Sequence, residues 1–272
     1  MLKVVTLNLW NDLHLKQERL DILVVELLNE VPDIICFQEV TEATEFGFAT
    51  TAHYVAEKIG YHVVVCNDMT REEIGTAILS KLPVLKAEEF KLSEGNQKAV
   101  YAELEHPERN IYIATAHFSW GSLVEGERYR EALALNSLMS SKLSPESGKL
   151  PREPIGIITG DFNALPDSAT LQYLRGKSLE QGANTLWIDS WELNPSAGYT
   201  SSLSNSNAHI TALKSNLNTE LTMPERRIDY ILSYGYAYGR AGSFRESKLF
   251  ANHSVNGVIP SDHYGVIAIL NL

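Results

Sequence analysis

The 272-residue chain has only two cysteines, Cys36 and Cys66, and no Cys-x-x-Cys pair. Both sit in apolar, strand-like runs, so neither a disulfide framework nor a zinc cluster is supported and buried reduced thiols are expected. Basic residues are also few: 23 Lys and Arg stand against 34 Asp and Glu, a net charge of −11. Such a surface does not coat nucleic acid through a broad basic face, although a bound cation can reverse the sign locally. No apolar run approaches the roughly 20 residues of a membrane-spanning helix. Met1–Trp10 enters a strand pattern directly, with no hydrophobic leader before a cleavage site. A soluble cytoplasmic protein is the expectation. Two catalytic signatures are missing as well. There is no Gly-x-Ser-x-Gly nucleophile elbow, and Gly148-Lys149-Leu150 lacks the Ser or Thr of a phosphate-binding loop. Nothing rich in Pro, Gly or Ser divides the chain, and no short-period repeat occurs, so one domain over residues 1–272 is expected.

What is present is an alternation of strand and helix patterns. Leu2 to Leu9 reads as strand, and Lys16 to Asn29 as a helix, with Leu20, Leu23, Val24, Leu27 and Leu28 at the helical period. Buried strands are predicted at Asp33 to Phe37, Tyr61 to Cys66 and Gly75 to Ser80, and a helix from Thr41 to Ile59. A hairpin joins Val84–Leu92 to Lys98–Leu104 through Ser-Glu-Gly-Asn, and Asn110–His117 is a strand. Glu125–Leu143 reads as a helix, Ile155 opens a strand, and a short helix lies near Ala169–Arg175. The polar stretch from Asn194 to Glu225 is too long for a simple connection and reads as a functional loop. Strands at Arg227–Ser233, Ser243–Phe250 and Tyr264–Leu270 complete an α/β pattern of two mixed sheets packed together with helices outside.

The polar residues that end these strands carry the chemistry. Ile155-Gly156-Ile157-Ile158 climbs to Gly160, after which Asp161 and Asn163 stand two apart and, in extended chain, point the same way. Asn8 follows Val4–Leu7, Glu39 follows Ile34–Phe37, and His117 follows Ile111–Ala116. Asp229 interrupts the apolar run Arg227–Leu232, and Asp262 and His263 precede Tyr264–Ile269. Each alone is an ordinary turn, cap or core residue; together they are what phosphoryl chemistry requires, and a mixed sheet can bring them to one rim. A hard divalent cation takes oxygen ligands, which makes Glu39 the best carboxylate, with Asn8 as carbonyl ligand or orienter of the metal's water. His263, oriented by Asp229 or Asp262, can take a proton from attacking water. Asn163 and His117 can donate to charge developing on phosphoryl oxygens.

The ordered set resembles the endonuclease/exonuclease/phosphatase superfamily, whose fold is that of deoxyribonuclease I. The likeness runs from Asn8 in TLNLW through Glu39 in CFQEV, Gly75–Ser80, His117 in TAHFSW, Gly160-Asp161-Phe162-Asn163 and Arg227–Ile231 to Ser261-Asp262-His263-Tyr264-Gly265. It implies a four-layer α/β sandwich that hydrolyses phosphoester bonds with Mg²⁺ or Mn²⁺. By that likeness Glu39 binds the metal with help from Asn8, and His263 with Asp229 activates or orients water. Asp161 and Asn163 position nucleophile and phosphate, His117 contacts the phosphate or protonates the leaving oxygen, and Asp262 sits near the metal or supports His263. One departure stands out: several DNA-repair members carry an Asp two residues after the first Asn, where this chain has Trp10, unless Asn11 or Asp12 compensates. Asn-Leu-Trp is closer to phosphodiesterases of the sphingomyelinase type. The expected substrate is a small phosphodiester, a nucleic-acid end or a phospholipid headgroup, which leaves nuclease and tyrosyl-DNA phosphodiesterase activity as alternatives. A non-catalytic phosphate-binding module should have lost the metal carboxylate or the terminal histidine, and both are here. No segment marks an obligate protein partner. Trp10, Trp120 and Tyr199 are candidate stacking surfaces beside the more general role of packing, Arg226 is a candidate phosphate contact, and Gly198–Thr200 with the polar run ending in His209 is the candidate specificity loop.

Overall fold

The computed structural model describes residues 1–65, 74–94, 97–121, 123–144, 153–178, 185–193, 198–215, 225–235 and 240–272. The chain begins with β1 (Leu2–Asn8), crosses through α1 (Lys16–Glu30), and returns as β2 (Ile34–Val40), which pairs parallel to β1. α1 buries Leu20, Leu23 and Leu27 as their spacing predicts, and it stops where Val31 turns left-handed ahead of Pro32.

The next stretch departs from the expected helix over Thr41–Ile59. Its first half is a small two-stranded sheet, β3 (Glu42–Ala43) with β4 (Phe48–Thr50), around a 3₁₀ turn at Thr44–Phe46. Gly47 at φ 82° ends that turn, and Thr50 starts α2 (Thr51–Ile59) by accepting the His53 N–H with its hydroxyl. A glycine that breaks and a threonine that caps thus override the charged periodicity.

β5 (His62–Val65), β6 (Gly75–Ser80), the hairpin β7 (Val84–Lys91) and β8 (Lys98–Leu104), and β9 (Ile111–His117) follow as expected. Cys66, Gly148–Leu150 and residues 95–96 of the hairpin turn lie outside the described residues. Then come α3 (Glu125–Leu143), β10 (Ile155–Asp161), α4 (Ala169–Leu174), β11 (Trp187–Asp189) and a 3₁₀ turn at Ser190–Leu193. The expected loop from Asn194 to Glu225 holds a helix, α5 (Ser206–Lys214), begun by Asn205, whose side chain accepts the Asn207 N–H. Residues 194–197 and 216–224 of that stretch lie outside the described residues. β12 (Asp229–Tyr234), β13 (Phe244–Phe250) and β14 (Gly265–Leu270) close the chain.

Two six-stranded mixed sheets result, ordered β13-β14-β1-β2-β6-β5 and β11-β12-β10-β9-β8-β7. Their facing sides bury Val4, Ile34, Ile78, Ile113, Ile157, Ile231 and Val266 in a shared core. The outer face of the first sheet packs under α1 and α2, and that of the second under α3 and α4. This is the four-layer sandwich expected from the sequence, held mainly by apolar burial worth about 1.5–3 kcal/mol per large side chain. A buried hydrogen bond from Gln38 Nε2 to Thr115 Oγ1 (2.9 Å) joins the sheets near the rim where the polar groups collect.

Gly160 shows how tightly that rim is packed. Its φ is +144°, and a Cβ there would stand 1.9 Å from the Ala116 carbonyl oxygen on β9. Gly160→Ala is therefore expected to lower stability by about 3 kcal/mol or more in urea unfolding. A loss within ~0.5 kcal/mol would mean that β9 and β10 can part without cost.

Candidate active site

Strand register builds half of the site. His117 on β9 pairs with Asp161 on β10, and Asp161 pairs with Asp229 on β12, so the three stand in a row across the second sheet. The first sheet supplies Asn8 from the end of β1, Glu39 from β2 and His263 just ahead of β14. Glu39 owes its direction to a bulge: the β2–β6 pairing slips between Phe37 and Val40, and Glu39 takes a left-handed φ of 53°. Asn163 is likewise left-handed at φ 47°, its N–H accepted by Asp161 Oδ1 at 2.9 Å. Left-handed backbone at two candidate catalytic or metal-binding residues is typical of sites that the surrounding fold over-determines.

Side chains then link the two sheets. Asn8 Nδ2 donates to Glu39 Oε1 (3.0 Å) and to Asp161 Oδ2 (3.1 Å), while its Oδ1 accepts the Trp10 N–H (2.9 Å). The carboxylates only accept, so the amide nitrogen, and not the carbonyl, faces them. Glu39 is steadied further by the Asn11 N–H on Oε2 at 2.8 Å. That N–H is a donor and does not supply the metal ligand missing at Trp10, and Asp12 turns away to pair with Lys214.

His263 Nδ1 lies 3.0 Å from Asp229 Oδ2 and 3.7 Å from Asp161 Oδ2. Burial alone would lower the imidazole pKa, but Asp229, Asp161 and Asp262 together hold it well above the ordinary value. Burial pushes Asp229 upward, with Asp161 adding to it and His263 opposing. Asp262 is pushed up to about 6, chiefly by burial, and its Oδ2 accepts the Thr211 hydroxyl of α5 at 2.7 Å. Asp229 is therefore the partner of His263 Nδ1, and Asp262 is tied to the helix behind it. His117 Nε2 is 3.6 Å from Asp161 Oδ2, and Asn163 Nδ2 donates to the Phe118 carbonyl at 3.1 Å.

Asp161, Asp229 and His263 each place a donor atom within 4.8 Å of the others, a spacing that can hold a metal ion. Asp229 Oδ1 is buried without a hydrogen-bond partner among the described residues. A set rich in carboxylate oxygen, one of them unpartnered, fits a hard divalent cation. Glu39 is outside that trio and joins it through Asn8.

The outlying candidates divide. Trp10 does not present a stacking surface: it is 5% exposed at φ 57°, with the Arg19 guanidinium 4.5 Å from its ring centre. Arg19 also donates to the carbonyls of Leu9, Asp12, His14 and Pro260, so its burial locks the loop after β1. Trp120 and Tyr199 are 79% and 49% exposed. Arg226 is half-buried and donates to the Ser201 hydroxyl. His209 lies on α5 against the Leu203 carbonyl. Neither Arg226 nor Arg227 pairs with Asp229; Arg227 pairs with Asp189 at 2.8 Å.

The profile of the Endonuclease/Exonuclease/phosphatase family matches residues 5–263. The chain belongs to this family. No curated protein matches the chain by sequence. Among solved structures it is similar to D. rerio TDP2 complexed with single strand DNA product, at 19% identity and TM-score 0.76, covering 100% of this chain and 99% of that one. It is similar to the human Nocturnin catalytic domain with bound sulfate anion, at 19% identity and TM-score 0.68, with 99% and 93% covered. A mannosyl-6-phosphatase of Bacteroides thetaiotaomicron aligns at 16% identity and TM-score 0.70 over 100% of both chains. Identities this low carry the fold alone, which the family members share with the sandwich described above. No helix among the described residues is long and apolar enough to cross a membrane.

Thr200, in the candidate specificity loop, turns inward as a support: its Oγ1 accepts the N–H groups of Ile228 and Asp229 (3.0 and 3.2 Å). Another supporting residue had no sequence signal of its own. Buried Glu131 takes both the N–H and the hydroxyl of Ser119, two residues beyond His117. A buried Glu on α3 within a charged helical pattern looks like any solvated residue until the loop above it is in place.

Proposed function

We propose that the protein is a divalent-metal-dependent hydrolase of phosphoester bonds, acting on a phosphodiester as one catalytic unit over residues 1–272. The observation that carries the reading is the His263–Asp229 contact at 3.0 Å beside Asp161, with Asn8 tying Asp161 to Glu39. Glu39 and the neighbouring aspartate oxygens would hold Mg²⁺ or Mn²⁺. What the cation supplies when bound is neutralisation of charge on the phosphoryl oxygens.

The chain's own residues supply the rest. Asp229 occupies His263 Nδ1 and so leaves Nε2 to orient the attacking water, whose proton the ring takes in its neutral form. Asn8 acts as a positioning residue, spacing Glu39 and Asp161 with one amide group. Asn163 and His117 offer donors to the phosphoryl oxygens, where charge grows in the transition state. Because both Glu39 and His263 are present and connected, a catalytic role is favoured over a phosphate-binding module.

The test is a substrate panel with Mg²⁺ or Mn²⁺: bis-p-nitrophenyl phosphate, p-nitrophenyl phosphate, single- and double-stranded DNA, abasic DNA, RNA, 5′-tyrosyl DNA, sphingomyelin and inositol phosphates. Cleavage of the diester in preference to the monoester is expected. Preference for the monoester would make the protein a phosphatase, and inertness towards the whole panel would remove the hydrolase reading. A DNA-end or tyrosyl-DNA phosphodiesterase is the second reading, supported by the exposed Trp120 three residues beyond His117 in sequence and by the likeness to the product-bound D. rerio TDP2 structure. It is distinguished by preference for 5′-tyrosyl DNA or DNA ends within the same panel.

A further inference from the structure

Beside the catalytic row lies a cavity of about 360 Å³, within the range of small-molecule sites, that the proposed chemistry leaves unused. Three of the segments that wall it also shape the catalytic centre. Leu165–Asp167 continue the loop that carries Asn163, Gly198 and Tyr199 precede Thr200, and Arg227 stands two residues before Asp229. Thr200 holds the backbone of Asp229, so a ligand against Tyr199 is one residue from the catalytic support.

The cavity contains a built polar group. Arg227 is 8% exposed, with its guanidinium 4.5 Å from the Tyr230 ring centre and 5.5 Å from that of Trp191. One side of the guanidinium meets Asp189, but Nη1 is buried without a hydrogen-bond partner among the described residues. A buried donor of this kind calls for an acceptor. That acceptor is unsuited to being an anion, because Asp167, Asp189, Glu192 and Glu225 outnumber Arg175 and Arg227 in the lining. Carboxylates accept only, so a group that fits must also donate. Hydroxyls do both. Half-exposed Tyr199 adds an amphipathic ring face for a compact partner.

We propose that this cavity is a subsite for the non-phosphate part of the substrate and takes a neutral, hydroxyl-bearing ring of monosaccharide or cyclitol type. Arg227 Nη1 donates to a ring hydroxyl, Asp167 accepts from another, and Tyr199 covers the ring's C–H face. The inference rests on the phosphoester-hydrolase reading for the position of the phosphate, but binding in the cavity can be measured without turnover.

Ligand-observed saturation-transfer NMR on the full chain tests it, with methyl α-glucoside, myo-inositol, adenosine and inorganic phosphate as separate probes. Transfer to methyl α-glucoside or myo-inositol is expected, falling at least fivefold in Tyr199→Ala and in Asp167→Ala. Both residues are surface-accessible, and an unchanged thermal midpoint confirms the fold of each variant. Absence of transfer to either polyol overturns the proposal, as does transfer that survives both substitutions. Binding of adenosine alone would assign the cavity to a flat base instead, and phosphate displacing the polyol would make it an anion site; either result also overturns it. Polyol binding without hydrolysis of any phosphoester would sink the enzymatic reading and leave the subsite standing, and hydrolysis without polyol binding would do the reverse.

Discussion

His263→Ala is expected to lower kcat by about 10²- to 10⁴-fold on a metal-saturated phosphodiester, with a much smaller change in KM. The reason lies in the geometry of Nδ1. Its 3.0 Å contact with Asp229 fixes the ring and its tautomer, and three carboxylates hold the imidazole pKa above the ordinary value. Such a group is poised to hold a proton while charge shifts at phosphorus, a contribution made in the transition state more than in ground-state binding. Alanine removes that group and also leaves Asp161 and Asp229 facing each other across the strand pair. Steady-state kinetics decide the matter. A variant within a few-fold of wild type would show that proton transfer runs through another residue, with His117 next in line. A large rise in KM at constant kcat would make His263 a binding group.

The second large effect is expected at Glu39. Glu39→Gln keeps shape and a hydrogen bond to Asn8 but removes the charge, so the metal concentration for half-maximal activity should rise by at least about tenfold, the smallest change typical of groups that support a metal site. Raising Mg²⁺ or Mn²⁺ should restore much of kcat. Chelation of the wild type should abolish hydrolysis, and full activity in excess chelator would dismiss the cation altogether. A defect in Glu39→Gln that added metal cannot relieve would move Glu39 from ligand to scaffold. Asn8→Ala offers a useful comparison, because a residue that only spaces two carboxylates should show a smaller loss of metal affinity.

Much of this was legible in the sequence because sheet chemistry is local. Apolar runs of four to six residues mark strands, and the polar residue that follows, interrupts or precedes each one marks the rim. Asn8, Glu39, His117, Asp161, Asp229 and His263 were found that way, and the register then joined them. What escaped depended on contacts distant in sequence. Trp10 reads as an aromatic in a rim loop, yet Arg19, nine residues on, draws it inside. Arg227 stands two residues before Asp229, yet it is Asp189, on a strand the sequence pattern did not reveal, that claims it. α5 was hidden by its low hydrophobicity: it buries only Asn207, Ala208 and Ala212, and is anchored by Asn207 to the Ile259 carbonyl and by Thr211 to Asp262. Periodicity records apolar faces, not polar anchoring. The first half of the helix expected over Thr41–Ile59 failed for a plainer reason, since Gly47 and Thr50 were visible punctuation outweighed by charge spacing.

The pairing of β14 with β1 has a temporal corollary. The second sheet runs without interruption from Val84 to Tyr234, so a growing chain can assemble it early, together with its row of His117, Asp161 and Asp229. The opposing sheet is open between β1 and β13 until β14 inserts, and that same event delivers His263 to the waiting acids. A partly synthesised molecule would thus hold His117, Asp161 and Asp229 in one row while still lacking His263 and its contact with Asp229.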